Sequence, residues 1–243
     1  GIIQASNPTT QAMPAGFITA GAPDVAQGPL GFAEVYIARF SGAGYNTLDW
    51  ATYTGGNGVE WQGGLEITPD KTLLTFCGET TVATGWPALT ANNVGSTITG
   101  GGVFLGALPT AQAAPAAFTF LSFFDGPSPD DRPQLDVTNN FYYIVFRSAS
   151  ASLPGTAALP AVYDATNAGS NDFAIARIPI NGTSSGTPVR TTFLGGTSFE
   201  LQCAIRVSAA LDEVYVVGTA QDNNFPAVNQ PGSNYFKPSP AIG

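Results

Sequence analysis

One motif returns twice at a fixed interval, and that interval limits the fold more than any other property of the chain. Thr52-Tyr53-Thr54-Gly55-Gly56 recurs as Ser122-Phe123-Phe124-Asp125-Gly126 and as Thr192-Phe193-Leu194-Gly195-Gly196, 70 residues apart each time. Glu60 to Thr68 aligns with Asp130 to Thr138 and with Glu200 to Ser208 at the same step. Leu65, Leu135 and Ile205 then superpose, as do Ile67, Val137 and Val207. Downstream, Leu74-Thr75-Phe76, Ile144-Val145-Phe146 and Val214-Tyr215-Val216 continue the register. Each copy closes on an apolar residue before Pro-Ala, at Trp86-Pro87-Ala88, Leu159-Pro160-Ala161 and Phe225-Pro226-Ala227. Copies in phase at this length mark a repeat array.

Each copy holds four short β-prone segments set apart by turn residues. In the first they are Val35 to Phe40, Asp49 to Thr54, Gly64 to Thr68 and Thr72 to Gly78. With 29 Gly and 19 Pro in 243 residues, tight turns are favoured over helices. The expected fold is all-β: three four-stranded antiparallel β-propeller-like blades with an extra N-terminal strand. The blades fall at residues 32–99, 100–170 and 171–243 (the last with a C-terminal tail), after an N-terminal strand and linker at 1–31.

The N-terminal segment repeats the end of a unit. Met13-Pro14-Ala15 resembles the closing motif, and Ile2-Ile3 precedes Pro14 as Val214-Tyr215 precedes Pro226. Gly1 to Ala5 thus reads as a last strand with no vacant partner inside the chain. Closed propellers have about four to eight blades, so three leave edges and faces that proteins normally cover. Self-assembly is the expectation, as a homo-oligomer or filament, with Gly1, Ile2, Ile3, Gln4, Ala5 and Ser6 as a donated assembly strand. On that expectation, deleting residues 1–6 leaves a monomer or small aggregate.

The third copy carries a resemblance. Phe173-Ala174-Ile175-Ala176-Arg177-Ile178, Thr192-Phe193-Leu194-Gly195-Gly196, Ala204-Ile205-Arg206-Val207, Glu213-Val214-Tyr215-Val216-Val217-Gly218-Thr219 and Phe225-Pro226 together resemble the bacterial seven-bladed β-propeller repeat family. The second copy departs from it with Arg147-Ser148 where the others have Gly78 and Gly218, and with Pro127, Pro129 and Pro133. The resemblance implies stacked blades and a secreted or cell-surface protein.

Composition narrows the function classes. Lys and Arg total 8 against 17 Asp and Glu, a net charge of −9, which disfavours nucleic acid and anionic membrane surfaces as partners. No apolar run reaches the roughly 20 residues that span a bilayer, so membrane insertion is not expected. Gly1-Ile2-Ile3 reads as a processed N-terminus, in keeping with secretion. There is no His, which removes Ser-His-Asp and Cys-His nucleophiles and His metal sites.

Acidic residues remain for chemistry. Asp130, Asp131, Glu60, Glu200, Glu66 and Asp136 are the candidates for paired-carboxylate glycoside hydrolysis. Glu60, Asp130 and Glu200 share one repeat position, however, which points to a turn-bonding role in each copy and to a chain that is not an enzyme. Asp125, Asp130 and Asp131 gather in one Pro-stiffened loop and could hold Ca²⁺, the one cofactor the sequence offers. Trp61 and Tyr53 are candidate stacking residues for a sugar or protein ligand. Trp50 and Trp86 fall at packing positions. Asn181-Gly182-Thr183 fits a glycosylation acceptor. Cys77 and Cys203 lie on different strands of different copies and are expected as free, buried thiols, or else in a bond between subunits.

Overall fold

The structure is a computed structural model and describes residues 2–4, 18–25, 33–111, 113–157, 163–182, 186, 189–210 and 213–221. Among these are thirteen strands and no α-helix. The first sheet is ordered β1 (Ile2–Gln4), β2 (Ala33–Ser41), β3 (Thr47–Thr54). The second is β4 (Glu60–Ile67), β5 (Leu73–Thr80), β6 (Gly102–Pro109), β7 (Phe120–Phe124). The third is β8 (Asp130–Val137), β9 (Phe141–Ser148), β10 (Asp172–Pro179), β11 (Arg190–Leu194). The fourth is β12 (Glu200–Ser208) with β13 (Glu213–Ala220). All pairings within the sheets are antiparallel.

Three four-stranded blades, one per repeat, were expected; the sheets instead hold three, four, four and two strands, and they do not close into a ring. The reason is where the chain changes sheet. The longest pairings join one repeat to the next, β5 to β6 from Leu73↔Pro109 to Thr80↔Gly102 and β9 to β10 from Phe141↔Pro179 to Ser148↔Asp172. The crossing lies inside the repeat, at the Gly-Gly turn between β3 and β4. There a β-carbon on Gly56 would lie 2.3 Å from the Trp86 ring, so only glycine lets the chain pass. Each internal sheet is therefore the back half of one repeat joined to the front half of the next.

β1 does have a partner in its own chain. It runs antiparallel to β2 with Ile2 opposite Val35, Ile3 opposite Glu34 and Gln4 opposite Ala33. Gly1, Ala5 and Ser6 of the expected assembly strand lie outside the described residues. β1 beside β2 repeats β5 beside β6 and β9 beside β10.

The second repeat slips by two residues. Leu65 pairs with Phe76 and Ile205 with Val216, but Leu135 pairs with Ile144. The turn from Val137 to Phe141 is shorter than that from Ile67 to Leu73. The residues equivalent to Leu74, Phe76 and Gly78 are thus Tyr142, Ile144 and Phe146, not Ile144, Phe146 and Ser148.

The sheets stack in chain order, with a core in each gap. Val35, Ile37 and Trp50 of the first sheet meet Phe76, Phe104 and Phe123 of the second. Val103, Leu105 and Phe124 meet Leu135, Ile144 and Phe146 of the third. Phe173 meets Ile205 and Val216 of the fourth. Phe120 stacks on Tyr142 at 5.3 Å across the middle gap, and Trp86 sets its edge against Phe123.

One hydroxyl in each repeat holds the outer edge. Thr52 Oγ1 accepts the Asp24 N–H and donates to its carbonyl; Thr192 does the same with Asp164. Ser122 Oγ accepts from Val94 and Gly95. These three stand 70 residues apart, and each pins a loop along β3, β7 or β11 with bonds worth about 1 kcal/mol apiece.

Candidate functional site

Three pairs of carboxyls, all buried except the half-buried Asp125, sit at the sheet crossings. Glu34 and Glu60 flank Gly55: the point a β-carbon there would occupy is 3.0 Å from Glu34 Oε1 and 3.0 Å from Glu60 Oε2. Asp125 and Asp130 face each other at the second crossing, and Asp172 and Glu200 flank Gly195-Gly196 at the third. Glu34 and Asp172 are equivalent positions at the starts of β2 and β10, each opposed by a glycine, Gly55 or Gly195. At the middle crossing the arrangement is reversed: Gly102 begins β6, and Asp125 stands where the glycine would be. A β-carbon on Gly102 would lie 2.5 Å from Asp125 Oδ1, so one position can carry an acid only if the other is bare.

The donors around these acids come from the turn. Glu60 Oε1 accepts from Thr80 Oγ1 at 2.9 Å, and the Gly56 and Gly58 N–H groups also point at its carboxyl. Asp130 Oδ2 accepts from Gly126 N at 2.9 Å and from Ser150 Oγ at 3.2 Å. Glu200 Oε1 accepts from Gly196 N, and Asp172 Oδ2 from Ala168 N. Asp125 Oδ2 accepts from Thr99 N at 2.6 Å. Burial raises the pKa of Glu60, and it raises Asp125 to about 6 and Asp130 to about 7, with the Asp125 charge adding to the effect on Asp130. The groups acting on Asp130 are hydroxyls, one N–H and Asp125, none of them a cation. Such a pair holds a proton between its oxygens. It can clamp a turn.

Asp131 departs from the expected calcium loop. Along β8 successive side chains point to opposite faces, and Asp131 forms a bidentate ion pair with the Arg147 Nε and Nη2 groups. Asp125 and Asp130 come together without it. Among the described residues no group of three or more metal-ligating side chains converges. Glu66 meets Arg206 Nη1 at 3.1 Å, and Asp136 Oδ2 accepts the Val207 N–H, so both join β4 or β8 to β12.

The expected aromatic pair is separated. Tyr53 is buried, 3 % exposed, on the first sheet, whereas Trp61 is exposed on the second. Trp61 borders a cleft of about 510 Å³ with Glu79, Arg132, Gln134 and Gln202. Asn181 is exposed, but Thr183 of its triplet lies outside the described residues. Cys77 and Cys203 are both free, the first accepting the Gly64 N–H at 3.0 Å; burial lifts both thiols to about 12.

The ends of the stack differ from its middle. Leu65 is 59 % exposed, while its equivalents Leu135 and Ile205 are 3 % exposed. Leu135 is covered by β4, whose Gly64 backbone leaves no room for a β-carbon against it; Leu65 has no such strand over it among the described residues. With Phe40 and Ile67, also exposed, it borders an apolar cleft of about 660 Å³. At the other end Val217 is 69 % exposed, against 2 % for Cys77 and 0 % for Val145. Val214 and Tyr215 beside it are exposed too. Two apolar surfaces thus lie at opposite ends, each covered in the interior by the next sheet. Sequence periodicity shows none of this, because Leu65, Leu135 and Ile205 look alike until the end of the stack is known.

No protein-family model matches the chain, and no curated protein matches it. The class the fold defines is an all-β stack of antiparallel sheets with unequal ends.

Proposed function

We propose that the chain is an extracellular structural repeat protein, built of propeller-like sheets and resembling the seven-bladed propeller repeat family, that associates end to end into a filament, sheath or surface layer. One observation carries the reading: residues buried at the interior positions are exposed near both ends of the stack, and the two exposed sets correspond to the two sides of one interior junction. With only 10 % charged residues, few charges lose their water when such surfaces meet, and that apolar contact works against the mutual repulsion of a net charge of −9. The buried carboxyl pairs belong to the scaffold, and the protein carries no catalytic chemistry in this reading. Electron microscopy of purified protein across a concentration series tests it; ordered polymers or closed multimers are expected, and a monomer at every concentration overturns it.

A second reading rests on Trp61. An exposed indole beside Gln134, Gln202, Arg132 and Glu79 offers a stacking face ringed by hydrogen-bonding groups, which suits a sugar or a peptide. Glycan-array binding lost in Trp61→Ala, with the protein monomeric, would favour an adhesin-like binding module.

A further inference from the structure

Resting on the self-assembly reading above, we propose that the joint between copies is a composite four-stranded sheet, in which β13 of one copy pairs antiparallel with β2 of the next and takes the place held there by β1. The internal sheets show what the joint requires. Each has the order of its first sheet-crossing strand, its hairpin partner, then the two front strands of the next repeat. Among the described residues the fourth sheet holds the first two of these, β12 and β13. The first sheet holds β2 and β3, with β1 standing in the position of β13.

The register follows without adjustment. In the second sheet Leu74 is opposite Leu108, and in the third Tyr142 is opposite Ile178. Carried over by repeat position, each pair gives Val214 opposite Phe40 of the second copy. Both internal sheets also place Gly218 opposite Tyr36, the counterpart of Gly78 opposite Phe104. Here a glycine again faces an aromatic ring. Val214 and Phe40 are both exposed, whereas Leu108, Ile178 and Tyr142 are buried.

β1 fills this slot only in part. It pairs with Val35, Glu34 and Ala33, where Thr219, Ala220 and Gln221 would lie, and leaves the β2 edge from Ile37 to Phe40 without a strand among the described residues. β13 has eight residues to offer against three. β12, already paired to β13, would then lie across Leu65 of the second copy, as β4 packs across β8 and covers Leu135. Tethering favours β1, because it is always nearby, so exchange depends on concentration. β1 is a placeholder, and removing it promotes assembly. That is the reverse of what a donated strand would do.

The test mixes a Phe40→Cys chain with a Val214→Cys chain under mild oxidation, with wild type and each variant alone as controls for Cys77 and Cys203. Light scattering is recorded alongside, and circular dichroism checks that each variant keeps its β signal. Expected are a disulfide mapped by mass spectrometry to positions 40 and 214 in the mixture only, and an onset concentration lowered several-fold by deleting residues 1–4. Assemblies that form without that cross-link, or whose onset rises on the deletion, overturn this joint while leaving self-assembly standing. Chains that stay monomeric at all concentrations overturn both.

Discussion

Gly78 on β5 lies directly opposite Phe104 on β6, and a β-carbon on that glycine would stand 2.4 Å from the ring. In the next sheet the equivalent pair is Phe146 opposite Ala174. The volume is kept while the strand that carries it changes. Phe104 is fully buried between Trp86 and Phe76 and has nowhere to retreat. Gly78→Ala is therefore expected to destabilise the fold by about 1–3 kcal/mol. Urea unfolding reads this directly, and an unchanged midpoint would contradict the packing described.

The Asp125–Asp130 pair gives stability a direction in pH. Both carboxyls have folded-state values raised above the ordinary 3.8, to about 6 and about 7, chiefly through burial. The folded state thus binds protons more tightly than the unfolded one. Their contribution is complete below about pH 3.8 and is lost as pH rises through 6 to 7. Raised Glu60 and Glu79 act in the same sense. Tm is expected to fall by several degrees between pH 4 and pH 8 in low salt, and Asp130→Asn should flatten that slope. A slope of equal size in the variant would remove the pair as its source.

Calcium should leave the protein unmoved. Asp131, which would complete a three-carboxylate loop, is held by Arg147, and one oxygen each of Asp125 and Asp130, the Oδ2, already accepts N–H or hydroxyl donors. Thermal unfolding in millimolar Ca²⁺ and in chelator is expected to coincide. A rise in Tm with Ca²⁺ that disappears in Asp125→Asn would show that the loop rearranges to bind it.

The 70-residue step made strands and turns legible, and it placed the Gly-Gly crossing, the repeated hydroxyls and the repeated acid at Glu60, Asp130 and Glu200. It did not make the sheet boundaries legible, because a periodic sequence can be cut at any phase and remain equally periodic. Hydrogen-bonded length decides the phase, and here the long pairings run between repeats. The slip at β9 is hidden for a related reason. A shift of two residues keeps every side chain on its own face, so Ile144 and Phe146 match Leu74 and Phe76 in pattern while pairing elsewhere. Glu34, Asp125 and Asp172 escaped notice as members of one set because the acid moves between strands that are neighbours only in the folded sheet. Asp131 parts from Asp125 and Asp130 on the opposite rule: Asp130 and Asp131 are adjacent in sequence and so point apart.

Because every internal sheet is shared between two consecutive repeats, no repeat can melt by itself. Freeing residues 60–124 from their sheet strips the back of one repeat and the front of the next, so damage anywhere propagates along the stack instead of staying local. The same stitching makes the array indifferent to its own length. A duplicated unit of 70 residues would give two strands backward and receive two from the unit ahead, entering the row as a seamless link, whereas an insertion of half that size would leave a torn seam.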